Sequence, residues 1–141
     1  EQAVSVGWGT FGKNGSMGYQ GLEIMFDGKR YPKGISMHPP ARGSATVEYD
    51  VPRNAERFMG KVSLNHSAVG FAGVVHFRVL DEKGRLLWRS KTSIKHPGDM
   101  EDVDISVLGV RRVTLTVDCP GENGLRHAIW LDPRFVITPK E

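Results

Sequence analysis

The sequence predicts an all-β domain, an antiparallel β-sandwich with little or no helix. Three observations carry that expectation: five stretches whose apolar residues recur with period two, turn chemistry between them, and no run of ten or more residues with helical periodicity and caps. Ala45–Val51 is apolar at odd positions and polar at even ones. Phe58, Gly60, Val62 and Leu64 alternate with Met59, Lys61 and Ser63. Val75, Phe77 and Val79 alternate with His76 and Arg78. Val103, Ile105 and Val107 alternate with Asp102, Asp104 and Ser106, and Val113, Leu115 and Val117 with Thr114, Thr116 and Asp118. Each pattern puts one face of a strand in a core and the other in water.

Shorter strands are expected at Leu22–Phe26, Lys29–Tyr31, Leu86–Ser90, His127–Leu131 and Arg134–Ile137, and His38 closes another before Pro39-Pro40. Asp27-Gly28 is the residue pair of a tight primed hairpin turn. Asp81-Glu82-Lys83-Gly84 closes a second hairpin, its glycine able to take positive φ. Seventeen glycines and eight prolines punctuate the chain, as eight to ten short strands require. A closed barrel is the alternative to the sandwich.

With 141 residues the chain is one domain, residues 1–141, large enough to bury a core without staples. Its 39% hydrophobic and 25% charged residues exclude wholesale disorder. No apolar run reaches the roughly 20 residues of a membrane span. The opening Glu-Gln-Ala-Val lacks a basic region followed by an apolar stretch, so no retained signal peptide is expected: either one was removed or the chain is a domain cut from something longer. A net charge of +3 is mild, and the basic residues are scattered rather than gathered in a stripe, which argues against nucleic acid as a partner. The one cysteine, Cys119, excludes an internal disulfide and a cysteine-based zinc cluster. At the end of an apolar strand it reads as a small buried hydrophobe.

Enzyme chemistry leaves no trace. There is no His-Glu-x-x-His, no Gly-x-Ser-x-Gly and no phosphate loop, and Gly7-x-Gly9-x-x-Gly12 has no strand–helix unit to aim at a pyrophosphate. His38, His66, His76, His96 and His127 show no metal-pair spacing. The acidic run Asp99–Asp104 offers oxygen ligands but lacks the glycine placement of a calcium loop. No cofactor is required on this reading, and a structural calcium stays an open alternative.

What remains are loop residues suited to sugars: aromatic faces for the C–H side of a ring, and polar groups for its hydroxyls. Trp8 in its glycine-rich loop is the platform candidate. His38, Asn65 and His127 are the candidate hydroxyl readers, with Trp130 lining the pocket or supporting it from beneath.

Five segments in order then carry a resemblance. They are Tyr31-Pro32-Lys33-Gly34-Ile35-Ser36-Met37-His38, Ala45–Val51, Val75-x-Phe77-x-Val79-x-Asp81, Val103-Asp104-Ile105-Ser106, and His127-Ala128-x-Trp130-x-Asp132-Pro133-Arg134. Together they resemble the NPCBM domains, family fifty-one of the carbohydrate-binding modules, from about Trp8 to Ile137. The resemblance implies a galactose-binding-like jelly roll. It also implies non-catalytic, weak recognition of a terminal galactose-type sugar, and appended catalytic or surface domains in a secreted bacterial protein that is extracellular or periplasmic. His38 falls at the family's His-Ala pair, and His127 with Trp130 at its Asp-His-Ala-Asp-Trp run. Here Pro39-Pro40 follows His38, and Arg126 and Ile129 stand where that run has acids. A monomeric glycan binder is the expectation. Its rival is a structural or protein-interaction sandwich without a sugar site.

Overall fold

The computed structural model describes residues 4–7, 11–19, 21–65, 67, 74–91, 94–121, 124 and 126–137. Among them are eleven strands and no helix: β1 Val4–Ser5, β2 Met25–Phe26, β3 Lys29–Arg30, β4 Ile35–Ser36, β5 Gly43–Asp50, β6 Arg57–Leu64, β7 His76–Leu80, β8 Leu86–Arg89, β9 Met100–Ser106, β10 Arg112–Cys119 and β11 Ala128–Val136. A five-stranded sheet has the order β1-β5-β10-β7-β8, and a four-stranded sheet the order β4-β11-β6-β9. Every strand pair is antiparallel. The sandwich is therefore the architecture, not the closed barrel.

The period-two residues meet between the sheets. Val47, Phe77, Val79 and Leu115 from one sheet pack on Phe58, Val62, Val103 and Trp130 from the other, each buried. Trp130 sits at the centre, its ring 5.4 Å from Phe77 in an edge-to-face contact, 6.3 Å from Trp88 and 6.4 Å from Phe58. Cys119 is buried at the end of β10, as expected of a small hydrophobe.

Both turns follow their sequence. Asp27 and Gly28 take φ of 51° and 75° between β2 and β3, the primed geometry that matches strand twist. In the β7–β8 turn the Asp81 carboxylate accepts from the backbone N–H groups of Lys83 and Arg85 and from the Arg85 guanidinium. The two strands expected at 127–131 and 134–137 are one, β11, with a bulge between Leu131 and Arg134 where Asp132 takes φ of 51°.

The four-stranded sheet is covered on its outer face as well. Ile129 and Leu131 point away from the sandwich core and pack on Met17 and Ile24, with Tyr19, Leu22, Phe26 and Tyr31 around them. Burying such aliphatic side chains contributes about 1.5–3 kcal/mol each, which fastens segment 11–34 as a flap over β11. Gly12 and Ser36 exchange two backbone hydrogen bonds and continue the sheet past β4 into that flap.

Candidate functional site

Side-chain parity along three neighbouring strands assembles the site. Ile129 pairs with Ser36 of β4 on one side and with Ser63 of β6 on the other. Two residues further along each strand, on the same face, stand His127, His38 and Asn65. The ladder runs that far: Met37 N–H donates to the Ala128 carbonyl at 3.2 Å, and Asn65 N–H to the His127 carbonyl at 2.8 Å. The three residues thus lie side by side at one end of the outer face, under the edge of the flap.

The rings of His38 and His127 are 5.8 Å apart, and Tyr19 of the flap meets both edge-on, at 6.1 Å and 5.6 Å. His127 Nδ1 is hydrogen-bonded to Ser67 Oγ at 2.7 Å, which leaves Nε2 as the nitrogen facing away from that contact. His38 Nδ1 lies 3.1 Å from the Pro39 carbonyl. Burial, reinforced by the neighbouring His38, lowers the pKa of His127 to about 4. Burial also lowers that of His38, against the pull of the Pro39 carbonyl and with the help of the Arg126 charge. Both rings are neutral at pH 7, each able to donate from one nitrogen and accept at the other. Burial pushes the Tyr19 phenol well above its ordinary range, with the Ser36 hydroxyl opposing.

Asn65 is fully buried. Its Oδ1 accepts from Met25 N–H at 2.6 Å, and its Nδ2 donates to the Glu23 carbonyl at 3.0 Å and to Ser67 Oγ at 2.9 Å. The amide ties the flap to the sheet and, through Ser67, orients the His127 ring. Trp130 stands on the opposite face of β11 from His127 and is also fully buried, within the core. Trp8 lies outside the described residues, as does His66. The neighbour of Trp8, Gly7, donates its N–H to the His38 carbonyl at 2.7 Å. A Cβ on Gly7 would fall 2.1 Å from Pro40 N, so only glycine lets this segment approach the Pro39-Pro40 backbone so closely.

Sequence reasoning paired the histidines with Asn65 but missed Tyr19 and Ser67. Tyr19 follows a glycine in a segment without period, and Ser67 lies beyond the end of β6, so neither carried a pattern. Among the described residues no three His, Cys, Asp or Glu side chains gather as a metal set. The acidic run is dispersed instead. Asp99 caps the backbone N–H groups of Lys95 and His96, Glu101 accepts from Lys91 N–H, and Asp104 pairs with Arg57.

Fold and site together define a small antiparallel β-sandwich module with an aromatic–histidine cluster at one end. The sequence matches the NPCBM/NEW2 domain over residues 1–136, and the chain belongs to that family. Solved structures share its fold. One is the CBM51 of Clostridium perfringens GH95 in complex with methyl-galactose, with TM-score 0.77 and 20% identity over 96% of this chain and 93% of that one. Another holds CBM51-2, in complex with GlcNAc, and INT domains of Clostridium perfringens ZmpB, with TM-score 0.76 and 21% identity over 95% of this chain. A third holds the tandem CBM51 modules of the family 98 glycoside hydrolase from Streptococcus pneumoniae SP3-BS71, with TM-score 0.77 and 19% identity over 97% of this chain. The chain spans 29% of the ZmpB structure and 44% of the tandem one. No curated protein matches the sequence.

Proposed function

We propose that this domain is a non-catalytic glycan-binding module that reads a terminal sugar at the histidine end of the sandwich. Family membership carries the reading: modules of the same fold were solved with methyl-galactose and with GlcNAc bound. His127 Nε2 and His38 read hydroxyls as neutral rings, and Trp8 supplies the stacking face. Asn65 and Trp130 act beneath them, Asn65 through Ser67 and Trp130 through the core. A galactose-type sugar is the first choice of ligand. One monosaccharide offers few apolar atoms, so affinity is expected at about 10 µM to 1 mM, and avidity from neighbouring modules multiplies it. The parent protein on this reading is secreted or periplasmic, with catalytic or surface domains alongside.

One observation favours the rival, a docking module without a sugar site: His38 and His127 are only 5% and 8% exposed, so they offer a sugar little surface. A glycan array followed by calorimetric titration separates the two. Binding to one sugar class, lost in Trp8→Ala and weakened in His127→Ala with the fold intact, supports the lectin reading. A blank array at high protein concentration, with and without calcium, overturns it.

A further inference from the structure

We infer a second ligand site, at the opposite end of the sandwich, for a carboxylated monosaccharide. A cavity of about 410 Å³ opens between the two sheets there. The half-buried rings of Phe135 and Tyr49 give it an aromatic lining, and Phe58, only 2% exposed, backs Phe135 from the core with the two rings 5.5 Å apart. Phe58 is seven residues from Asn65 along β6 and its continuation, which at strand rise puts that side of the cavity roughly 23 Å from the histidines, while Ile35, on its near side, is three residues (roughly 10 Å) from His38 and on the opposite face of the strand. The two sites cannot share one sugar.

The rim gives the cavity its chemistry. Lys13, Lys33 and Arg134 line it from three separate segments, and no aspartate or glutamate does. Five arginines elsewhere in the protein are paired. Arg30, Arg57, Arg78, Arg85 and Arg112 each hold a carboxylate, of Glu23, Asp104, Asp118, Asp81 and Asp50 respectively. Among the described residues no such ion pair involves Lys13, Lys33 or Arg134, whose one guanidinium hydrogen bond goes to the Asp132 backbone carbonyl. Three cations around one mouth repel each other, and an anion seated among them relieves that repulsion.

The backbone is arranged to bring them together. Asn14 and Gly15 turn with φ of 55° and 83°, and Gly15 N–H donates to the Gly34 carbonyl at 3.1 Å. A Cβ on Gly15 would lie 2.9 Å from Pro32 Cα, so the Lys13 turn can close on the Lys33 turn only through glycine. The bulge at Leu131–Arg134 brings Arg134 to the same rim, where it also borders a neighbouring cavity lined by Asp102, Asp104 and Asp132. Aromatic rings for the apolar face of a pyranose and cations for its carboxylate are the groups an acidic sugar of uronic or sialic type requires.

The test is a chemical-shift titration of the isotopically labelled domain with glucuronate, N-acetylneuraminate, glucose and tetraglutamate. The inference expects saturable shifts at Lys13, Lys33 and Phe135 with one or both acidic sugars, at a Kd on the order of 1–10 mM, and none with glucose. Charge-neutral K13Q/K33Q/R134Q should weaken that binding at least tenfold while keeping the wild-type spectrum elsewhere, and salt should weaken it too. H127A should leave it unchanged, so loss of galactose binding and loss of acidic-sugar binding report separately. No shift with either acidic sugar overturns the inference, as does equal binding of glucose. Tighter binding of tetraglutamate overturns it in favour of an acidic peptide. Shifts at this mouth that depend on protein concentration overturn it in favour of a second copy of the chain.

Discussion

Asn65 is joined to His127 twice, once by its backbone N–H to the His127 carbonyl at 2.8 Å and once through Ser67, which bridges the amide and the imidazole. The same amide holds the flap at Met25 and Glu23. The His127 ring and the covering of the sheet therefore share one buried group.

Asn65→Ala should lower stability by roughly 1–3 kcal/mol, because it removes the partner of partly buried backbone groups of the flap at Met25 and Glu23. Denaturant unfolding measures this. The His127 ring signal should broaden or shift in the same variant, since Ser67 loses its anchor. Unchanged stability would mean that water replaces the amide and that the flap is held by its apolar contacts alone.

Stability should fall on acidification through the histidine pair. The folded-state pKa of His127 lies near 4, below the ordinary 6.5, so folding favours the neutral ring. That contribution is complete above about pH 6.5 and is lost as pH falls through about 4. The groups facing His127 are His38, Tyr19 and Ser67, with Arg126 acting on His38. Unfolding curves at pH 7.5 and pH 4.5, for wild type and His127→Gln, check the sign. The variant should show the shallower dependence.

Trp130→Phe should cost less than its lost volume suggests, about 1–2 kcal/mol rather than the 3–5 of a full truncation to alanine. Among the described residues the buried indole N–H has no hydrogen-bond partner, so phenylalanine removes an unsatisfied donor along with the contacts. Thermal unfolding of both variants decides it. Near-equal losses would place a partner on that nitrogen.

Gly7→Ala should cost about 1–3 kcal/mol, since the new methyl must displace backbone at Pro39-Pro40. Sugar affinity should drop more than stability does, because the displaced segment carries His38. Titration of the folded variant gives the comparison.

The long strands were legible in the sequence because one buried face writes itself as alternation, and β5, β6, β7, β9 and β10 all carry it. The two-residue strands β1 and β4 left no such pattern. A strand ending at His38 was expected, but not its partner, so nothing showed that His38 and His127 share a rung: strand pairing, not sequence spacing, places them together. Asn65 was legible as a polar residue at a strand end. Its duty to the flap was not, because Glu23 and Met25 reach it from a segment without period. Trp130 lies inside an unbroken apolar run, Ala128–Leu131, buried on both faces, and such runs hide which side faces which core.

The position of Trp130 also sets what light emission from this protein reports. Its indole is sealed at the centre of the sandwich with Trp88 packed 6.3 Å away. The sealed Trp130 responds to the integrity of the core, and Trp88, half-buried on β8, packs against it on the side away from the histidines. Of the three tryptophans, only Trp8 is then expected to change on addition of a sugar. A spectral shift under folding conditions would therefore be an optical readout of the histidine end, with the other two indoles as an internal reference.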